Sequence, residues 1–99
     1  MNDLKTDLSL GRDVVETLAD SLMAIGNAKR FEIVQYCLQP RKFTDIVVNL
    51  KMNPASFKFH SQVLIDCDLI ERVNRGVYRT TELGQRMLEL VGKAAAMRG

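Results

Sequence analysis

Phe43-Thr44-Asp45-Ile46-Val47-Val48-Asn49-Leu50 is followed by Lys51-Met52-Asn53-Pro54 and then by Ala55-Ser56-Phe57-Lys58-Phe59-His60-Ser61-Gln62-Val63-Leu64. The stretch closes with Leu69-Ile70-Glu71-Arg72-Val73-Asn74-Arg75-Gly76-Val77-Tyr78-Arg79. Thr44 is a good N-cap for a short helix carrying Ile46, Val47 and Leu50. Asn53-Pro54 pairs a strong N-cap with the residue favoured at a first helical position, so a second helix starts at 54 and runs to about Cys67. Leu69–Arg72 and Val77–Thr80 read as strands joined by a loop with Asn74-Arg75-Gly76, where Gly76 permits a positive φ.

That order is helix, turn, helix and hairpin, which predicts a winged helix-turn-helix. The rest of the chain fits around it. Val15, Leu18, Leu22 and Ile25, with Leu10 and Val14 beside them, form an apolar stripe on a helix over 12–25. Gly26-Asn27 ends it, and Asn27 can cap a helix carrying Phe31, Val34, Cys37 and Leu38, stopped by Pro40. Thr81 caps a last helix in which Leu83, Met87, Leu90, Ala94 and Met97 form a narrow seam, weakened by Gly84 and Gly92. The expected architecture is mainly α with a small β-hairpin: five helices, with the wing between the fourth and fifth. A single domain is expected over 1–99, with the helix-turn-helix at 44–67, the wing at 69–80 and terminal dimerisation helices at 12–25 and 81–97.

At about 100° per residue, Phe57, His60, Ser61, Leu64 and Cys67 share one face of the helix from 54. Ala55, Lys58, Phe59, Gln62 and Asp66 occupy the opposite one. Phe59 on that face either meets a partner or folds back over a neighbouring helix. The two narrow seams suit a dimer contact through Val15, Leu18, Leu22, Leu83, Met87, Leu90 and Ala94; the alternative is that they pack on each other within one chain.

The net charge of +2 says little, but its distribution says more. Residues 1–25 set Lys5 and Arg12 against Asp3, Asp7, Asp13, Glu16 and Asp20, net −3. Residues 41–62 set Arg41, Lys42, Lys51 and Lys58 against Asp45, and residues 72–86 set Arg72, Arg75, Arg79 and Arg86 against Glu82, each net +3. The positive excess falls where a polyanion would lie. The bland alternative is a solvated face with scattered basic residues.

Other classes have little support. Cys37 and Cys67 are far apart and sit among apolar helical positions, and His60 is the sole histidine, so neither metal nor cofactor is expected. One histidine, no nucleophile–base pair and no glycine-rich phosphate loop argue against an enzyme. There is no run of about 18 apolar residues to span a membrane. The start, Met1-Asn2-Asp3-Leu4-Lys5-Thr6-Asp7, lacks the basic and apolar regions of a signal peptide, which predicts a cytoplasmic protein.

Three strings in order resemble the ArsR-like winged-helix transcriptional regulators, over roughly residues 18–91. Ala24-Ile25-Gly26-Asn27-Ala28-Lys29-Arg30-Phe31-Glu32-Ile33-Val34 resembles that family's A-L-G-[ND]-x-x-R-x-x-I-L. Phe57-Lys58-Phe59-His60-Ser61-Gln62-Val63-Leu64 resembles its V-S-x-H-L-x-x-L recognition helix, and Gly76-Val77-Tyr78-Arg79-Thr80-Thr81-Glu82-Leu83-Gly84 its Y-x-L-T-x-x-G wing exit. The family's metal sensors carry cysteines before the recognition helix or Asp and His pairs on the last helix. Here 44–50 and 83–91 contain no Cys or His, so that chemistry does not carry over. Ser61 stands where Leu is usual and can bond its own backbone. Lys51 stands where a turn glycine is common; a left-handed lysine costs about 1–2 kcal/mol, or the turn takes another shape.

The resemblance implies a homodimeric regulator of double-stranded DNA. Ala55, Ser56, Lys58, Phe59 and Gln62 would face base edges, with Asn53 at the head of that helix, and Lys51, Lys58, Arg75 and Arg79 would meet the backbone. The competing reading is a winged-helix protein-interaction module, since fold does not fix function. The small-molecule effector is unknown.

Overall fold

The computed structural model describes residues 11–98. Leu10 and the acidic residues Asp3 and Asp7 lie outside the described residues, as does the segment read against a signal peptide. Among the described residues the order is α1 (Arg12–Ile25), α2 (Ala28–Tyr36), β1 (Arg41–Lys42), α3 (Phe43–Asn49), α4 (Pro54–Asp66), β2 (Ile70–Asn74), β3 (Val77–Thr80) and α5 (Glu82–Arg98). It is mainly helical with a small antiparallel sheet of order β1-β3-β2, the winged helix-turn-helix plan.

The caps read from sequence explain three helix starts. The Asn27 side chain accepts from the Arg30 N–H (3.1 Å), and the Asn53 side chain from the Ala55 N–H (2.7 Å) ahead of Pro54. The Thr81 hydroxyl accepts from the Gly84 N–H (3.0 Å) and donates to the Asp68 carbonyl (2.7 Å). Thr44 is not a cap. The helix begins at Phe43, because Arg41 and Lys42 pair with Tyr78 and Val77 as a third strand and the Phe43 N–H donates to the Gly76 carbonyl (2.7 Å). The sheet therefore holds the chain extended up to Lys42 and releases it into the helix one residue later.

Two further boundaries differ from expectation. α2 ends at Tyr36, before Leu38. Buried Thr80 intercepts its last turn: the hydroxyl donates to the Val34 carbonyl (2.6 Å) and the N–H to the Cys37 carbonyl (2.8 Å). β2 starts at Ile70 and reaches Asn74, with a register shift between Arg72 and Asn74. Leu69 is excluded from the strand because its N–H closes the end of α4 on the Leu64 carbonyl (2.8 Å).

The core gathers Ile25, Ile33, Val34, Cys37, Ile46, Phe57, Leu64, Leu69, Ile70 and Tyr78 from every layer. Phe57 stands edge-on to both Phe43 and Tyr78, with ring centroids 5.5 and 5.2 Å apart, so the inner face of α4 is locked to the sheet. Each such large side chain contributes about 1.5–3 kcal/mol by leaving water. Ser21 is fully buried and its hydroxyl donates to the Cys67 carbonyl (3.0 Å), tying the end of α1 to the end of α4.

Both helices of the helix-turn-helix end on a left-handed residue that is not glycine. Lys51 has φ +53° and Asp68 φ +61°. In each case the following N–H reaches back to close the helix: Met52 to the Val47 carbonyl (2.9 Å), Leu69 to that of Leu64. Lys51→Gly and Asp68→Gly should each stabilise the fold by about 0.5–1 kcal/mol, because glycine relieves the left-handed strain but loses more chain entropy. Thermal melts check this: each variant should gain a few degrees, and an unchanged midpoint would refute the strain.

Candidate nucleic-acid interface

α4 presents a divided surface. Phe57, Ser61 and Leu64 are buried and His60 half-buried, whereas Ala55, Ser56, Lys58, Phe59, Gln62 and Asp66 are exposed. Phe59 is 61% exposed, so it does not fold back over a neighbouring helix; its ring lies edge-on to that of His60, centroids 5.3 Å apart. Ser61, where a leucine is usual in the resembling family, is accommodated by donating to the Lys58 carbonyl (3.2 Å) within its own helix. Gln62 donates to Asp66 one turn on (2.9 Å), which fixes its amide while leaving its carbonyl oxygen and second N–H for another partner. Asn53 has already used its side-chain oxygen as the helix cap.

The wing sorts its arginines by the two-residue period of the strand. Arg72 is opposite Tyr78, and Glu71 opposite Arg79. Tyr78 is buried towards α4, so Arg72 lies on that side, its guanidinium 5.7 Å from the Tyr78 ring centroid. Arg79 lies on the far side and pairs with Glu71 (2.8 and 3.3 Å). Arg79, expected on the DNA-facing surface, is thus turned away and neutralised, and Arg72, missed from sequence, stands beside α4. Only the strand register separates the two, and the register is set by pairing that the string of residues does not display.

Arg75 is exposed at the hairpin tip, where its N–H donates to the Asn74 side chain (2.9 Å) and Gly76 takes φ +68°. Among the described residues neither Lys58, Arg72 nor Arg75 is in an ion pair. Lys58, Ala55 and Arg72 border one cleft, together with Phe43, Pro54, Phe57, Ser61 and Tyr78. Lys51 is exposed in the turn leading into α4. Arg41, counted in the basic stretch, is used within the fold: it lies over the Tyr36 ring (4.3 Å) and donates to the Tyr36 carbonyl (2.9 Å).

On the side of α4 towards α2, Arg30 donates to Nδ1 of His60 (3.2 Å) and to the Ala24 carbonyl at the end of α1 (2.7 Å). Arginine cannot accept, so His60 accepts at Nδ1 and is neutral with its proton on Nε2. Burial, then the charges of Arg30 and Lys29, lower its pKa below the usual 6.5. The unfolded chain thus takes up the proton first. His60 therefore contributes stability that is complete above about pH 6.5 and is lost as the pH falls through the lowered folded value. His60→Gln should flatten the loss of melting temperature between about pH 7.5 and 5.5; an equally steep loss in the variant would show that other groups carry it.

The thiols are poor nucleophiles. Burial pushes Cys37 up to about 12, and burial with the nearby Asp20 and Asp66 raises Cys67. Among the described residues no three of His, Cys, Asp or Glu are grouped to hold a metal ion, and no helix is long and apolar enough to cross a membrane.

The expected dimer residues divide. Val15, Leu18 and Leu22 are 54, 42 and 46% exposed and Leu90 is 54% exposed. Ala94 is exposed, but Leu83 is half-buried and Met87 buried against this chain's own core.

The family model described as winged helix-turn-helix matches residues 30–99, and the chain belongs to that family. No curated protein matched the chain.

Proposed function

We propose that this member of the winged helix-turn-helix family is a homodimeric, sequence-specific DNA-binding transcriptional regulator of the cytoplasm, close in kind to the ArsR-like regulators but without their metal ligands. The observation that carries the reading is the exposed face of α4 beside three cations that are in no ion pair among the described residues, Lys58 on the helix, Arg72 on the inner strand face and Arg75 at the wing tip. An exposed helix face with flanking positive charge is what a major groove and its phosphates require. Ser56 and Gln62 supply hydrogen bonds for base edges, Gln62 towards adenine, while Ala55 and Phe59 supply apolar contact for thymine methyls. Lys51, Lys58, Arg72 and Arg75 set the register on the backbone. The exposed apolar residues of α1 and α5 join two copies, which spaces their recognition helices by about one DNA turn, roughly 34 Å.

The test is a salt titration of duplex binding followed by fluorescence anisotropy. Arg72→Ala and Arg75→Ala should each lower the slope of log K against log salt by about 0.9, on specific and scrambled duplexes alike. Arg79→Ala should leave the slope unchanged, since that side chain is already committed to Glu71. Gln62→Ala should cost about 1–3 kcal/mol at one sequence only. Salt-independent binding that none of these variants alters would refute the DNA reading and favour a protein partner docked on Phe59.

A further inference from the structure

The cleft between α4 and the wing is lined mainly by apolar side chains. It is an open cleft of about 410 Å³, within the range of small-molecule sites. Its floor is the edge-to-face set of Phe43, Phe57 and Tyr78, and its rim carries Lys58 and Arg72. Among the described residues no carboxylate lines it and neither rim cation is in an ion pair. A duplex would meet the rim cations through its phosphates, but its bases stay stacked inside the helix and leave the aromatic floor unfilled. An apolar recess with one cation on its helix side, Lys58, and one on its strand side, Arg72, suits a molecule with an apolar body and an anionic end held between them. A planar ring suits the edge-to-face walls, and a carboxylate suits the fork of Arg72, which Tyr78 holds from beneath.

We propose that this cleft binds a small aromatic carboxylate and that such a ligand competes with DNA. The competition rests on the DNA reading above, because Lys58 and Arg72 cannot serve a carboxylate and a phosphate together. The binding site itself does not depend on that reading.

The experiment is an NMR titration of the full chain with benzoate, run at constant ionic strength beside benzyl alcohol, acetate and sulfate. Benzoate should shift the ring signals of Phe43, Phe57 and Tyr78 saturably. Benzyl alcohol, without the charge, and acetate, without the ring, should bind about tenfold more weakly or worse. Arg72→Gln, a change at an exposed side chain, should weaken benzoate by about tenfold and leave benzyl alcohol unaffected. Absence of saturable ring shifts overturns the site. Sulfate binding as well as benzoate also overturns it, since the rim is then a phosphate seat alone. In a second arm, benzoate should weaken duplex binding beyond an equal concentration of chloride. Duplex binding that benzoate leaves unchanged refutes the competition. If no duplex binds at low salt, the DNA reading and the competition fall together, while the ring shifts still decide the site.

Discussion

Gly84→Ala should destabilise the protein by about 1–3 kcal/mol, the range of overpacking, and towards its upper end because the atoms it meets cannot retreat. A Cβ at Gly84 would be driven into the Leu69 carbonyl oxygen and to 2.6 Å from Cγ2 of Thr80. Both neighbours are fixed. The Leu69 carbonyl accepts from the Thr81 N–H (3.0 Å), and Leu69 itself is held to Leu64. Thr80 is buried and bonded through its hydroxyl and its N–H to the end of α2. Gly84 therefore sets how closely α5 approaches the wing. Gly92, in the same helix, has nothing within 4 Å of the position a Cβ would take, so Gly92→Ala should stabilise by up to about 1 kcal/mol through helix propensity alone. Urea denaturation of the two variants gives opposite shifts of midpoint. A Gly84→Ala protein as stable as the wild type would show that α5 does not dock so closely.

The contrast between these glycines shows what the chain's letters could and could not convey. Both look like defects in an amphipathic helix, and only the packing partner distinguishes them. Elements set by local chemistry were legible: Asn53-Pro54 fixes the start of α4, Asn27 that of α2 and Thr81 that of α5, because a cap and its orphan N–H groups lie within a few residues. The buried and exposed faces of α4 followed from helical periodicity for the same reason. What depended on distant partners was not legible. β1 is two residues long and pairs with β3, and nothing local to Thr44 reveals that the helix starts one residue before it. The end of α2 is set by Thr80, 46 positions downstream of Val34. That Arg72 and not Arg79 lies on the α4 side follows from the pairing of β2 with β3. Helical periodicity thus separates the faces of α4 from sequence alone, whereas strand pairing decides which arginine lies beside it.

Charging the apolar stripe of α1 should convert the proposed dimer into a monomer and weaken duplex binding by about 100-fold or more, the loss expected when two linked contacts become one. Residues 12–20 of α1 are all exposed, and burial within the chain begins only at Ser21. An isolated helix of this length is marginal in water, so its stability has to come from an apolar face covered by something. Among the described residues that cover reaches only Ser21, Ala24 and Ile25. Val15, Leu18 and Leu22 continue the stripe outward and stay roughly half exposed. α1 and α5 do touch, but α5 directs Met87 and half of Leu83 inward and leaves Leu90 outside. Among the described residues, packing within one chain therefore uses part of each seam and leaves the remainder exposed, which is the surface the proposed dimer would cover. Leu18→Asp combined with Leu22→Asp alters exposed positions, so the monomer should keep its helical circular dichroism while sedimentation at micromolar concentration shows half the mass. Leu90→Asp should weaken association in the same direction. A wild type that already sediments as a monomer, or a dimer untouched by all three changes, would remove the terminal helices from the interface and leave the exposed stripe without a function.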